Sequence, residues 1–281
     1  MSKVASIQMV SGLDIKKNLD DMRQLVAEAS NKGAKLILLP EFFALLSNQQ
    51  IQSIYYSEPA FEINKSNTHE NCSPIQRAIS DAAKKNKVWI VGGTVPLKTK
   101  KKEKIYNSML TFNSNGILVA RYDKVHLFKY QNGQEIYDES QFIVAGNEKL
   151  QMITPAGNTF FSVCYDIRFP EFFRKKTESP VLLDLILVTA AFTFQTGMAH
   201  WELLLRTRAI ENQCFVLASA QGGQHECGRN TWGHSMLISP WGDIIDECAT
   251  GKGIVIGDID QKIISNVRKK LPAISHQRFD L

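Results

Sequence analysis

Cys164 has the sequence surroundings of a nucleophilic cysteine. The apolar run that ends at Val163 predicts a buried strand, and Pro170 and Glu171 suit the first turn of a helix that follows. A sharp strand-to-helix turn of this kind exposes the nucleophile of many hydrolases. The alternative is a structural cysteine, because free cysteines are among the most buried residues. Taken alone, the segment favours that alternative.

A nucleophilic cysteine needs a base, because the thiolate rather than the thiol attacks. The chain has six histidines, and none stands in a recognisable cysteine-protease context. Glu41 directly follows the apolar run 36–40, so its carboxylate is expected at a strand end, where it could take the proton instead. Lys124 also ends a predicted strand. Taken singly, either charge could belong to the protein surface.

The elements that must position these residues alternate between strands and helices. A strand is predicted at 4–10, followed by a helix capped by Asp14 and a strand at 34–40. The next helix is capped by Ser73, with Gln76 completing a capping box, and it precedes a strand at 88–95. The second half repeats this order, with strands at 159–163, 183–189 and 215–220 and helices beginning near Pro170 and Met198. Hairpins are predicted at 106–122 and 235–247. This order predicts an α/β fold whose sheet is mixed.

The domain organisation follows from what separates these elements. No glycine-, serine- or proline-rich linker divides the chain, and residues 34–40 and 183–189 resemble each other as buried strands. We therefore expect a single domain over residues 1–281 with two related layers. The lysine-rich segment 98–104 lacks interleaved aromatic residues and is interpreted as a solvated loop.

Composition excludes several classes of function. A formal charge of +5 on 281 residues gives no basic face of the kind that binds nucleic acid. The apolar runs are far shorter than the ~18 residues that cross a bilayer, and the first residues do not resemble an export signal, so no membrane association is expected. The five cysteines are an odd, widely spaced set, which favours thiols in a reducing cytoplasm. Roles for Cys72, Cys214, Cys227 and Cys248 are not assigned.

Glu41, Lys124 and Cys164 together form a known combination. The segments 39–42, 122–128 and 164–171 that contain them occur in the order found in the nitrilase superfamily, and the chain resembles that superfamily over essentially its whole length. The resemblance implies a carbon–nitrogen hydrolase with a four-layer α-β-β-α sandwich built on two mixed sheets. It also implies a second glutamate some fifteen residues after the lysine, which Glu139 matches. Glu135 is a nearby alternative in a less fitting context.

The resemblance implies a two-step acyl transfer without a cofactor or metal. Glu41 acts as the general base, Cys164 attacks an amide carbonyl, and Lys124 with the backbone N–H of Tyr165 stabilises the oxyanion. A thioester forms, ammonia leaves, and water completes the hydrolysis. Glu139 supports the lysine or the water. We expect Lys124 to lower the pKa of the thiol, and the two glutamates to keep Lys124 protonated.

Within the superfamily the chain resembles the Nit-type amidases. The stretch 218–226 is closer to the amidases that act on deaminated glutathione than to omega-amidase, so the implied substrate is deaminated glutathione, with α-ketoglutaramate as the alternative. Gly197 departs from the pattern, since Met198 follows it where these relatives more often have proline. This departure weakens the choice of substrate and leaves the catalytic residues unaffected.

Three residues are expected to bind the substrate. Arg168 would face an acidic group, and Phe192 and Thr196 would form walls. An ion pair of Arg168 with Glu171 or Asp166, holding the turn after the cysteine, is an equal alternative.

Arg208 has a different predicted role. It lies on the apolar face of its helix, among Trp201, Leu204 and Leu205, which predicts burial against a carboxylate in a structural salt bridge. Family members use this helix at a dimer interface, so the resemblance implies a homodimer or a larger homo-oligomer.

Two other classes of function remain as alternatives. A metal-dependent hydrolase would use His225, Glu226 and Cys227, but three adjacent side chains cannot all point at one ion without strain. A non-catalytic interaction module would be credible only if one of the three catalytic residues were missing, and all are present. The paired glycines at 92–93 and 222–223 lack the spacing of phosphate-binding loops and are interpreted as tight strand ends.

Overall fold

The computed structural model describes residues 1–65, 73–132, 135–174 and 182–278. Cys72 lies outside these residues. The strands, numbered along the chain, are β1 (Ser2–Gln8), β2 (Leu36–Leu38), β3 (Trp89–Val91), β4 (Val95–Lys98), β5 (Ile105–Phe112), β6 (Leu118–Asp123), β7 (Lys129–Asn132), β8 (Glu135–Asp138), β9 (Gln151–Thr154), β10 (Gly157–Val163), β11 (Leu185–Ala190), β12 (Phe215–Ala220), β13 (Gly222–Gln224), β14 (Asn230–Trp232), β15 (Ser235–Ile238), β16 (Ile244–Cys248) and β17 (Gly253–Ile259).

The α-helices of the described residues are α1 (Ile15–Asn31), α2 (Gln50–Tyr55), α3 (Pro74–Asn86), α4 (Pro170–Phe173), α5 (Phe194–Asn212) and α6 (Gln261–Lys270). Short 3-10 helices cover Glu139–Gln141, Cys164–Arg168 and Ala273–His276. In this part of the chain, no helix is both long and apolar enough to cross a membrane.

Two mixed sheets form the centre of the fold. The first has the strand order β17-β1-β2-β3-β5-β4, with β6 also paired to β5, and its β1-β2-β3 core is parallel. The second has the order β16-β15-β12-β11-β10-β9, with β10, β11 and β12 parallel. The carboxyl ends of parallel strands meet at one edge of a sheet, which is where ligand sites of open α/β sheets form. Glu41 follows β2 and Cys164 follows β10, each at such an edge.

The layers are ordered α-β-β-α, as expected from the resemblance. One core packs α1 and α3 on the outer face of the first sheet, for instance through Met22 and Ile79 against Ile37. The other core joins the two sheets, as Leu38 and Phe161 do, and extends to α5 through Trp201. The apolar stripe of α1 follows its sequence periodicity, and Asp14 caps its first turn by accepting a hydrogen bond from the backbone N–H of Lys17.

Several predicted elements need correction. The strand expected over 88–95 is two strands, because the chain changes direction at Gly92 and Gly93. After this point, β4 no longer continues β3 and pairs with β5. A Cβ atom on Gly93 would lie 2.0 Å from the carbonyl oxygen of Pro40, so only glycine permits this approach behind Glu41. The helix expected from Met198 begins four residues earlier, at Phe194.

Helix α3 has Ser73 at its N-cap position and Pro74 as its first residue, as predicted, but the predicted side-chain capping box is not formed. The hydroxyl of Ser73 donates to the backbone carbonyl of Pro59, and the carboxylate of Glu58 accepts the first helical N–H groups, those of Ile75 and Gln76. A distant carboxylate therefore replaces the local capping box, which a pattern of neighbouring residues does not reveal.

Candidate active site

Cys164 sits on a sharp turn between strand β10 and a 3-10 helix. Its φ of +50° lies in the left-handed region that non-glycine residues rarely adopt. The turn is held by the carboxylate of Asp166, which accepts a hydrogen bond of 2.8 Å from the backbone N–H of Val163. The predicted strand-to-helix turn is therefore present, with Cys164 as its first residue, and we call residues 164–168 the elbow.

Asp166 also ties the elbow to the segment that carries Lys124. Its carboxylate accepts hydrogen bonds from the Tyr122 hydroxyl, at 2.6 Å, and from the backbone N–H of His126, at 3.0 Å, and it pairs with His126 Nδ1 at 2.7 Å. Tyr122 and His126 lie two residues before and two residues after Lys124. The same carboxylate thus fixes the elbow relative to the lysine.

Glu41 is held from both sheets. One carboxylate oxygen accepts hydrogen bonds from Lys124 Nζ and from Asn107 Nδ2, each at 3.0 Å. The other accepts the backbone N–H of Ala191, at 3.0 Å, just after strand β11 of the second sheet. Glu41 is only 1% exposed, so these contacts replace its hydration and fix its orientation.

Lys124 is fully buried between two carboxylates. Its ammonium lies 3.0 Å from Glu41 and 2.8 Å from Glu139. Glu139 is positioned in turn by the backbone N–H of Phe128, which donates to it at 2.7 Å. The side chain of Glu135, the alternative second glutamate, lies outside the described part of the structure. We refer to Glu41, Lys124 and Glu139 as the acidic triad, because its two carboxylates outnumber its one ammonium.

The charges of the triad control its protonation. Burial disfavours the charged ammonium, but the carboxylates of Glu139 and Glu41 outweigh burial, and the pKa of Lys124 is raised well above its ordinary value. Burial raises the pKa of Glu139, which Lys124 partly offsets. The raised pKa of Lys124 thus supports the expectation that the two glutamates keep it protonated.

The expectation for the thiol holds for the effect of Lys124 but not for the net pKa of Cys164. Burial raises the pKa of Cys164, the negative charge of Glu41 raises it further, and Lys124 only partly counteracts them, so that the pKa lies well above its ordinary value. Two carboxylates outweigh one ammonium at the sulfur. At neutral pH the resting residue is therefore a neutral thiol, and it needs a base to become a nucleophile.

A cavity of about 820 Å³ opens beside the sulfur. Cys164, Glu41 and Glu139 lie on its wall, with Lys124 buried behind them. Tyr137 also lines this space, and burial together with the charge of Glu139 raises its pKa to about 12. The three residues singled out for catalysis and Glu139 are thus gathered at one cavity.

The expected substrate-binding residues line the same cavity. Arg168, Phe192 and Thr196 all contribute to its wall, as does Tyr165. The Arg168 guanidinium lies 5.3 Å from the ring centroid of Phe192. The alternative ion pair with Asp166 is not formed, because Asp166 is occupied by Tyr122 and His126, and within the described residues Arg168 has no ion pair with Glu171.

Arg208 lies below the elbow, buried as predicted. Its guanidinium pairs with Glu211 at 2.6 Å, and its Nε and one terminal nitrogen donate to the backbone carbonyl of Ile167 at 3.1 and 2.7 Å. The carboxylate partner was predicted. The contact with Ile167, which braces the last turn of the elbow, was not.

The residues of the metal-site alternative point to separate partners. His225 contacts the carbonyl of Ser11 through Nδ1, at 2.8 Å, and the Thr231 hydroxyl through Nε2. The Glu226 carboxylate accepts the backbone N–H of Leu13. In the described ranges, no group of three or more histidine, cysteine or acidic side chains is arranged to hold a metal ion.

Sequence reasoning missed four contributors to the site: Asn107, Asp166, Tyr137 and Arg229. Asp166 was considered only as a partner for Arg168, although its position two residues after Cys164 matches a residue that closes a turn. Asn107, Tyr137 and Arg229 lie in a strand, a hairpin and a loop with no pattern of their own, and only the packing of distant segments brings them together.

Comparison with known proteins supports these observations. A sequence model described as carbon-nitrogen hydrolase matches residues 3–269. The deaminated glutathione amidase of Yersinia enterocolitica is 36% identical over 99% of this chain and 93% of its own length. The crystal structure of Saccharomyces cerevisiae Nit3, described as a member of branch 10 of the nitrilase superfamily, superposes with a TM-score of 0.85 at 30% identity, covering 99% of this chain and 97% of that one.

A fusion protein is similar over part of its length. The nitrilase and fragile histidine triad fusion protein NitFhit of Caenorhabditis elegans is 34% identical over 99% of this chain, and the chain spans 61% of that protein. Its crystal structure superposes with a TM-score of 0.85.

Proposed function

The chain belongs to the carbon-nitrogen hydrolase family, and we propose that it is an amidase that cleaves deaminated glutathione through a thioester on Cys164. The observation that carries the proposal is a buried cysteine beside the acidic triad at the wall of a single cavity. The similarity to relatives named deaminated glutathione amidase supports the choice of substrate.

Glu41 acts as the general base in this proposal. The thiol is neutral at rest, and the Glu41 carboxylate lies on the same cavity wall with both oxygens already oriented. Transfer of the thiol proton to Glu41 leaves the total charge of the sulfur and the triad unchanged, because a carboxylate is neutralised as the thiolate forms. The thiolate that results faces the Lys124 ammonium, which favours it.

The thiolate then attacks the amide carbonyl and forms a sulfur–carbon bond. Negative charge develops on the carbonyl oxygen, and Lys124 with the backbone N–H of Tyr165 stabilises it. Glu41 gives its proton to the amide nitrogen, the carbon–nitrogen bond breaks, and a thioester remains. Water, deprotonated by Glu41 and positioned with the help of Glu139, cleaves the thioester and restores the thiol.

The group that leaves depends on the amide. The expected release of ammonia applies to a primary amide such as α-ketoglutaramate and needs correction for deaminated glutathione. Deaminated glutathione instead releases cysteinylglycine, because the amide nitrogen belongs to the cysteine residue. Both substrates leave the same oxo acid on Cys164, so the acyl half of the site serves either one. The cavity of about 820 Å³ favours the larger substrate, since it is within the range of about 300–1,000 Å³ typical of sites for drug-sized ligands.

The experiment that tests this proposal measures release of the oxo acid from deaminated glutathione and α-ketoglutaramate, and release of the carboxylic acid from simple aliphatic amides. We expect the highest kcat/KM for deaminated glutathione with wild-type protein, and no turnover by Cys164→Ala. A preference for α-ketoglutaramate would move the assignment to omega-amidase with the same mechanism. Near-normal turnover by purified Cys164→Ala would contradict the nucleophile itself.

The assembly and location are part of the same proposal. We propose a single domain over residues 1–281 that forms a homodimer through α5 in the cytoplasm. The outer face of α5 supports the dimer, since Met198, Leu203 and Ile210 are 63%, 66% and 49% exposed. Cys164, Cys214, Cys227 and Cys248 are free thiols, in keeping with a reducing compartment. Sedimentation of wild-type protein and of Leu203→Glu tests the interface, since the charge would favour the monomer.

A further inference from the structure

Two arginines line the cavity without a carboxylate partner. Arg168 and Arg229 both contribute to its wall, and within the described residues neither forms an ion pair. Other arginines of the same chain do form ion pairs with carboxylates, namely Arg23, Arg121, Arg174, Arg206 and Arg208. A partly buried guanidinium without a counter-ion is costly unless an anion arrives, so both side chains are available for anionic groups of a ligand.

Arg229 is held in place by its loop. The loop between β13 and β14 is hydrogen-bonded to the first half of the chain. Asn48 Nδ2 donates to the Cys227 carbonyl at 2.6 Å, and the Glu226 carboxylate accepts the backbone N–H of Leu13 at 3.1 Å. Within the loop, the backbone N–H of His225 donates to the Arg229 carbonyl at 2.8 Å. A guanidinium on a fastened loop loses little conformational freedom when it binds an anion.

The two guanidiniums belong to different parts of the wall. Arg168 is in the elbow, four residues after Cys164, and lies 6.0 Å from the ring centroid of Tyr165. Arg229 lies 5.7 Å from the ring centroid of Tyr137. The ring of Phe128 contacts both tyrosine rings, with centroids 5.2 Å from Tyr165 and 5.7 Å from Tyr137. The rings of Tyr165, Phe128 and Tyr137 thus form a chain of contacts that has one arginine at each end.

This arrangement matches a substrate that carries a carboxylate on each side of the scissile amide. Deaminated glutathione is such a substrate: the oxo acid has one carboxylate and the glycine of the leaving group has the other. Resting on the proposed function, we propose that Arg229 determines specificity by binding the glycine carboxylate of the leaving group, while Arg168 serves the acyl half. α-Ketoglutaramate has no carboxylate on its leaving group, so Arg229 discriminates between the two substrates.

The test compares kcat/KM for deaminated glutathione and for α-ketoglutaramate in wild-type protein, Arg229→Met and Arg229→Lys. We expect Arg229→Met to lower the ratio of the two values by about tenfold or more, mainly through KM, because a charge-assisted hydrogen bond is lost for one substrate only. Arg229→Lys, which keeps the charge without the planar fork, should restore part of the ratio. Arg23→Met, which removes an arginine on the exposed face of α1, is the matched control and should leave the ratio unchanged.

A second arm changes the substrate instead of the protein. Deaminated glutathione with its glycine carboxylate converted to a carboxamide should be a poorer substrate for wild-type protein, and Arg229→Met should discriminate little between the acid and the carboxamide. An unchanged ratio in Arg229→Met, or equal use of acid and carboxamide by the wild type, would overturn the role of Arg229 while leaving the amidase intact. Absence of wild-type turnover of deaminated glutathione would overturn the proposed function, and this inference with it.

Discussion

Lys124 and Arg208 are both buried cations near the elbow that begins at Cys164, and their surroundings differ in charge. Lys124 is 0% exposed and has two carboxylates within 3.0 Å, whereas Arg208 is 3% exposed and has one carboxylate and a backbone carbonyl. The first group carries a net negative charge, whereas the second has no excess of carboxylates, because Glu211 pairs with Arg208 and, at 3.4 Å, also with Arg174. Only the first adjoins the cavity that contains the thiol.

This difference separates a reactive buried charge from a structural one. An excess carboxylate in a dry site has affinity for a proton, and the Cys164 thiol lies on the same cavity wall as Glu41 and Glu139. A balanced pair such as Arg208 with Glu211 has no such affinity and only holds a turn in place. The ratio of carboxylates to cations therefore distinguishes the Lys124 site from the Arg208 site better than burial does, because both cations are buried.

Among substitutions at these two sites, the largest expected effect is on catalysis. We expect Lys124→Ala to lower kcat at least ~100-fold, because loss of an oxyanion donor costs about 3–4 kcal/mol of transition-state stabilisation. Steady-state kinetics with deaminated glutathione measures this change, and circular dichroism checks that the variant is folded. A decrease below about tenfold in folded protein would mean that Lys124 is structural, like Arg208.

The next effect is on stability. We expect Arg208→Met to lower the free energy of unfolding by about 3 kcal/mol, since it leaves the Ile167 carbonyl without its buried donor and the Glu211 carboxylate with only the longer contact to Arg174. Denaturant titration measures this loss. Arg206→Met is the matched control on the same helix: its ion pair with Glu202 is exposed, and its removal should cost about 1 kcal/mol or less.

Activity then distinguishes the two buried cations. Folded Arg208→Met should retain much more of its kcat than Lys124→Ala, because Arg208 acts on the elbow through the Ile167 carbonyl and contacts no reacting atom. Equal losses of kcat in the two folded variants would contradict the comparison.

The smallest effect is a shift in the reactivity of the thiol with pH. Since the pKa of Cys164 is raised above its ordinary value of 9.0, the rate of Cys164 alkylation by iodoacetamide should still be rising above pH 9. Glu139→Gln removes one negative charge that raises this pKa, so its alkylation profile should move to lower pH. Mass spectrometry of the peptide that contains Cys164 follows the rate, with Cys164→Ala as the blank. A plateau near neutral pH in wild-type protein would show that the resting residue is a thiolate.

The sequence predicted the elements and residues whose signals are local. The helix at Ile15–Asn31 has a regular apolar stripe and a capping aspartate, and the strands that lead to Glu41 and Cys164 are uninterrupted apolar runs. The catalytic combination was found by resemblance, on three short segments. Each of these signals is contained within a few consecutive residues.

What the sequence did not reveal depends on contacts between distant segments. Strand β17 completes the first sheet by pairing with β1 from the other end of the chain, and the hairpin of β7 and β8 sets Glu139 in place. The first turn of α5 lacks an apolar period, and its Gly197 is explained only by Trp232, since a Cβ atom there would lie 2.2 Å from the Trp232 Cβ. The raised pKa of the thiol likewise depends on how many carboxylates reach it, which spacing does not encode.

The carboxylate of Asp166 gives the site a mechanical property. Asp166 accepts hydrogen bonds from Val163 on one side and from Tyr122 and His126 on the other. One carboxylate therefore links the segment that carries the Cys164 sulfur to the segment that carries the Lys124 ammonium. Thermal sliding of one sheet over the other would therefore carry both groups together and leave their separation nearly constant. Substitutions elsewhere in the cavity wall that leave these contacts of Asp166 intact should therefore preserve the spacing of the two groups.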